Sequence, residues 1–238
     1  MTRPLVGVIG GVGPLATAYF LGKIVRLTEA ERDQDHLDVV VFDHAAIPDR
    51  TAFILGDSTE DPGPVMADDA RRLAAFGADF LVVPCNTAHN FTDEVEAAVE
   101  VPVLSIIGET VAEAQARVPG LAAVGLLATS GTATSGVYQR ALAAQGVECL
   151  LPDDADQAAV MAVIYEQVKA GLPGDVETVR AVAGRLVDRG AQAVVLGCTE
   201  LSVVAEDEGL LAEPLFVDSL DVLARATIHR AGGRVRGE

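Results

Sequence analysis

An eleven-residue stretch occurs twice in this 238-residue chain. GADFLVVPCNT, from Gly77, aligns without a gap on GAQAVVLGCTE, from Gly190, and the shift of 113 residues superimposes Cys85 on Cys198. Both copies are almost continuously apolar, the pattern of a parallel strand buried on two faces. The same order of strand and helix patterns surrounds each copy, so the sequence favours duplication of a half-size α/β unit.

In the first half, Leu5–Ile9 reads as a strand closed by Gly10 and Gly11. Pro14 is placed to start a helix whose apolar face carries Phe20, Ile24 and Leu27. Leu37–Phe42 is a second strand that leads into a polar loop through Pro48, Asp49 and Arg50. Met66, Ala70 and Leu73 mark a helix ended by Gly77; Phe80–Val83 follows as a strand, then a helix over Phe91, Val95 and Ala98, then the strand Val101–Leu104. The second half offers strands at Leu121–Leu127, Val147–Leu151, Ala193–Leu196 and Leu215–Val217. Between them lie helix patterns carrying Val137 and Ala141, Val160 and Ile164, and Val179 and Leu186.

Helices that separate successive strands make both sheets mostly parallel. The expectation is an α/β protein of two similar αβα domains with four-stranded sheets, residues 1–113 and 114–217, with a C-terminal helix over 218–238 placed to pack back on the first. A pseudo-twofold relation would set the active site in the cleft between the domains.

Composition excludes several function classes. Thirty-five acidic residues against 17 basic give a net charge of −18, which argues against nucleic acid or an anionic membrane as partner. No apolar run reaches the roughly 18 residues of a membrane span, and MTRPLVGVIGG lacks a signal-peptide pattern. With no Trp and 4% aromatics there is little to stack on bases or sugars. Three widely spaced cysteines form neither a disulfide framework nor a CxxC clip, which points to a reducing cytoplasm. His36, His44 and His229 share no ligand spacing with the cysteines, so no metal is expected, and GVIGGVG departs from the GxGxxG spacing of a dinucleotide site.

Cys85 and Cys198 each stand where a strand ends and a helix begins, the edge at which open α/β sheets bind ligands. Backbone N–H groups and the positive helix end there lower a thiol pKa and attract a carboxylate. Two such thiols facing one carbon suit the removal of a proton from one face and its return to the other. A free thiol titrates near 8.5, so modest tuning leaves one thiolate and one thiol at neutral pH. Each cysteine is followed by polar residues, Asn86-Thr87 and Thr199-Glu200, which a carboxylate cradle needs and a core does not. Cys149, in the VECLL strand, is read as an ordinary core residue, and His89 as structural or orienting.

VIGGVGPLAT, IPDRTAFIL, PCNTAH, LGCTEL and DSLDVLA resemble the signature stretches of the aspartate/glutamate racemase family, the cofactor-independent two-cysteine racemases, from Val6 to about Ala226. The resemblance implies two αβα domains, a homodimer, and racemisation of a small-molecule amino acid without pyridoxal phosphate, metal or nucleotide. It assigns proton acceptor and donor roles to Cys85 and Cys198; the residues themselves add Asn86, Thr87, Thr199 and Glu200 as a carboxylate cradle and the turn at Gly11 and Val12 as backbone near the substrate.

Cell-wall glutamate racemases begin with Asp-Ser-Gly and end the second cysteine motif in His. Here Gly10-Gly11-Val12 and Glu200 stand at those positions, which disfavours that branch. IPDR and YEQVKAG resemble aspartate racemases, in which an Arg and a Lys bind the side-chain carboxylate; the matching residues are Arg50 and Lys169. Asp43-His44, just before IPDR, is less familiar in this family and stands where it can alter the pocket wall. The leading reading is an aspartate racemase, with glutamate or a broader range open. A maleate isomerase or hydantoin racemase on the same fold is the alternative, and a non-catalytic metabolite-binding protein a third, disfavoured because binding alone does not need two thiols.

Overall fold

The computed structural model describes residues 3–238 and resolves two compact units, the chain up to Ile106 together with Leu220–Glu238, and Ile107–Ser219. The expected parting after residue 113 falls inside a helix that runs unbroken over Ile106–Arg117. No proline interrupts that helix, so the units part at its start instead.

The first unit contains β1 (Leu5–Gly10), α1 (Pro14–Leu27), β2 (Asp38–Asp43), α2 (Arg50–Leu55), α3 (Pro62–Phe76), β3 (Phe80–Val82), α4 (Thr92–Ala98) and β4 (Val103–Leu104). The second contains α5 (Ile106–Arg117), β5 (Ala123–Leu127), α6 (Ser130–Ser135), α7 (Val137–Ala143), β6 (Glu148–Leu150), α8 (Asp154–Ala162), α9 (Val176–Asp188), β7 (Ala193–Leu196), α10 (Thr199–Asp207) and β8 (Phe216–Asp218). Strand order is β2-β1-β3-β4 in one sheet and β6-β5-β7-β8 in the other, all parallel. The two orders are the same once the second set is renumbered, so the repeated cysteine motif follows the equivalent strand, β3 or β7, in each unit.

The cores explain the apolar spacing. Met66, Ala70 and Leu73 of α3 are buried against Ile9, Leu81 and Val83. Val179, Val182 and Leu186 of α9 are buried against Leu127, Val194 and Leu196. Full burial of each larger side chain is worth about 1.5–3 kcal/mol. Gly77 and Gly190, the first residues of the repeat, both follow a helix at positive φ, 106° and 105°, where a side chain would be strained.

The expected loop holds through Pro48 and Asp49 and gives way to a helix at Arg50. Asp49 caps α2 by accepting the Ala52 N–H at 2.8 Å, and Gly56 ends it. The helix expected around Val160 and Ile164 changes to a π-helical turn over Val163–Val168. The last helix, α11 (Ser219–Arg230), belongs with the first unit, where Asp221 meets the buried Lys23 at 2.9 Å and Val235 bridges to Thr28.

Candidate active site

Strand register aligns the carboxyl edge of the first sheet. Val8 pairs with Val82, so Gly11 and Cys85 each lie three residues beyond the same rung. Gly10 pairs with Asp43, so His44 is the next residue along that edge beside Gly11. Gly11 adopts φ 78°, and a Cβ there would lie 2.2 Å from the His44 backbone, so only glycine fits. Its N–H donates to Thr17 Oγ1 at 3.0 Å, and that hydroxyl donates to the Gly13 carbonyl at 3.1 Å. Val12 packs its side chain into the core.

Cys85 is a buried free thiol, followed by buried Asn86 and Thr87. His89 lies in a 3₁₀ turn over Thr87–Phe91. Its Nδ1 bonds the Cys85 carbonyl at 2.9 Å, and its Nε2 accepts the Ile106 N–H at 3.2 Å. Burial holds its pKa down to about 4, with the bond to Cys85 opposing, so the ring is neutral with its proton on Nδ1. It orients the cysteine's backbone and is not placed to move a proton.

Arg50 is buried, and its Nη1 donates to the carbonyls of Ile47 at 3.1 Å and Pro48 at 2.8 Å. Its Nε has no partner, and no carboxylate pairs with it among the described residues. A buried guanidinium without a counter-ion is costly, and a bound anion relieves that cost.

In the second unit, Cys198 is the N-cap of α10 and is buried. Its Sγ donates to Glu200 Oε2 at 2.9 Å; Thr199 Oγ1 donates to the same oxygen at 3.3 Å, and Lys169 Nζ lies 3.2 Å from Glu200 Oε1. The π-helical turn delivers Lys169 to this position, where its ammonium also lies 5.0 Å from the Tyr165 ring centre. Burial first, then the Glu200 carboxylate, push the Cys198 thiol well above its usual range. Lys169 and the Glu200 backbone N–H pull the other way and are outweighed. Cys198 is therefore a protonated thiol at neutral pH, against the lowering expected from its helix position alone.

Sequence reasoning singled out these residues without the links between them. It missed Thr129, which caps α6 at the end of β5, and Asp69, which bonds His44. Among the described residues no group of three His, Cys, Asp or Glu side chains is placed to hold a metal ion, and no helix is long and apolar enough to cross a membrane.

The sequence model of the Asp/Glu/Hydantoin racemase family matches residues 9–227. The chain belongs to that family. This racemase is 28% identical over 233 residues to the broad specificity amino-acid racemase RacX of Bacillus subtilis, covering 94% of this chain and 96% of the relative. The structure of Picrophilus torridus aspartate racemase superimposes with a TM-score of 0.83 at 31% identity, over 98% of this chain and 96% of that one. A glutamate racemase from Francisella tularensis shares the fold, with a TM-score of 0.63 and 23% identity over 97% of this chain and 82% of its own. The protein is thus an isomerase of the amino-acid racemase type.

Proposed function

We propose that this racemase interconverts L- and D-aspartate by a two-base mechanism without a cofactor. One thiolate removes the Cα proton, the electron pair passes into the α-carboxylate, and the other thiol returns a proton to the opposite face. Cys85 and Cys198 fill these roles, and Cys198, held as the thiol, is the donor in the resting protein. That turnover leaves the proton from Cα on Cys85 and Cys198 as the thiolate, the states the reverse direction needs, and Lys169, paired with Glu200 beside the thiolate, offsets the added charge.

The observation that carries the acidic substrate is Arg50, a buried guanidinium with no acidic partner, suited to a side-chain carboxylate. Lys169, which the family resemblance matches to the substrate-binding lysine, is the second cation offered to that carboxylate. Backbone N–H groups of Asn86 and Thr87, and of Thr199 and Glu200 at the start of α10, hold the α-carboxylate together with the Gly11–Val12 backbone. The likeness to the Picrophilus torridus enzyme supports this reading. The likeness to RacX favours a second, a racemase of broad specificity. As part of the same reading we take the protein to act as a cytoplasmic homodimer, in keeping with the family resemblance and its three free cysteines.

Incubation with L-aspartate in D₂O, followed by NMR and chiral chromatography, tests the proposal. Deuterium at Cα with formation of D-aspartate is the expected result. Faster turnover of neutral amino acids selects the broad reading, and no exchange in any amino acid removes both.

A further inference from the structure

His44 and Asp69 form a pair that the mechanism above does not use. Asp69 lies on α3, in the apolar stripe of Met66, Ala70 and Leu73, and is fully buried. Its Oδ2 is 2.8 Å from His44 Nδ1, and its Oδ1 is 3.5 Å from Arg72 Nη1. The His44 side chain is 30% exposed, and its Nε2 carries no hydrogen bond among the described residues. The ring stands edge-on to Phe42 at 5.7 Å, which fixes its plane. Both ring nitrogens are thus accounted for, one anchored inward to a carboxylate and one left open.

The open edge belongs to the ligand-binding rim. His44, Gly11 and Cys85 follow β2, β1 and β3, three adjacent strands, at the same level of the ladder. Adjacent strands are about 4.8 Å apart, so the ends of β2 and β3, two strands apart, lie about 10 Å from each other. A cysteine side chain, a bound amino acid and an imidazole together fill such a gap. The His44 carbonyl also accepts the Ile47 N–H at 3.1 Å, closing the turn onto which Arg50 folds back.

We infer that His44 is a specificity-determining residue, whose Nε2–H meets the side-chain carboxylate of an acidic substrate while Asp69 anchors the ring through Nδ1. An imidazole that donates through both nitrogens is an imidazolium, so the acidic substrate binds with His44 protonated between two carboxylates. The charged groups that face the ring are Asp69 and, behind it, Arg72 from α3; Asp43 precedes His44 on β2, and the Gly10–Gly13 turn contributes none. The inference rests on the aspartate reading and adds to it a residue that separates acidic from neutral amino acids.

The test is the ratio of kcat/KM for aspartate to that for alanine, measured at one pH for every variant. Taking the ratio cancels changes in the thiols and the substrate amine that both substrates share. His44→Asn keeps an amide N–H for Asp69 and has nothing at the Nε2 position. It should lower the ratio by tenfold or more. A variant that keeps the ratio, or that slows both substrates equally, overturns the inference, because a purely structural bond to Asp69 predicts one of those results. Should His44→Asn not fold, Asp69→Asn keeps the hydrogen bond and removes the charge behind the ring. The ratio should fall there too, and an unchanged ratio overturns the inference. An unchanged ratio in a protein that racemises aspartate removes the His44 role alone, whereas a wild type that racemises no acidic amino acid removes the aspartate reading with it.

Discussion

Glu200 stands two residues after Cys198, and its carboxylate lies between that thiol, 2.9 Å from Oε2, and the Lys169 ammonium, 3.2 Å from Oε1. The three groups share one proton and one balancing charge, so any change to one alters the acidity of the others. Glu200→Gln keeps a hydrogen-bonding group and removes the charge that holds the Cys198 thiol up. The limb of the pH–rate profile that reports this thiol should move to lower pH. Lys169→Met removes a group that pulls it down, so the same limb should move to higher pH. Shifts in the same direction in the two variants would show that the array does not set the thiol's acidity.

Cys85→Ser and Cys198→Ser should each abolish racemisation in both directions, because a hydroxyl cannot replace a poised thiolate. Each single variant should still wash deuterium into one enantiomer only, which identifies the face its remaining thiol serves. Near-normal racemisation in either variant argues directly against two bases.

Arg50→Ala should cost aspartate roughly 10–150-fold in kcat/KM, the range for losing a charge-assisted bond to a carboxylate of about 1.5–3 kcal/mol. Neutral amino acids should lose far less. Stability should not fall by the amount usual for a buried side chain, since the variant also removes an uncompensated buried charge. Parallel kinetics on aspartate and alanine, with urea unfolding of both proteins, read the two effects apart.

His89 makes the fold sensitive to acid. Its folded pKa of about 4 lies below the ordinary 6.5, so between those values the unfolded chain binds a proton that the folded one refuses. The associated stability is complete above about pH 6.5 and is lost as pH falls toward 4, in total about 3 kcal/mol. His89→Asn keeps a donor for the Cys85 carbonyl and does not titrate. Its unfolding free energy should therefore fall less than the wild type's between pH 7 and 4.5; equal slopes would place the acid sensitivity elsewhere.

Metal-free and pyridoxal-free protein should turn over fully, and alkylation of its thiols should stop it. Activity restored only by pyridoxal phosphate, with the absorbance of the bound group, would remove the two-thiol account.

What was legible in the sequence was what is local. The β-branched runs, the glycines after α3 and α9, and the two cysteine motifs each carry their signal within about ten residues. α2 went unread because RTAFIL is too short to show a helical period. β4 is two residues long where the run Val101–Leu104 suggested four, since Val101 and Pro102 lie outside the ladder. The turn at Val163–Val168 follows no 3.6-residue period, so the array of Lys169, Glu200 and Cys198 was invisible although each member had been picked out. Asp69 did leave a trace, as a carboxylate in the middle of an otherwise apolar helical stripe.

The route of the chain through its two units orders the way the protein is made. Ile107–Ser219 is a single uninterrupted stretch, whereas the other unit lacks α11, Asp221 and Val235 until that whole stretch has been made. Lys23, which is almost fully buried, has no Asp221 beside it during that interval. A chain truncated at residue 219 would therefore carry a whole second unit and a first unit still open to proteases and chaperones. The unit made earlier is the last to close.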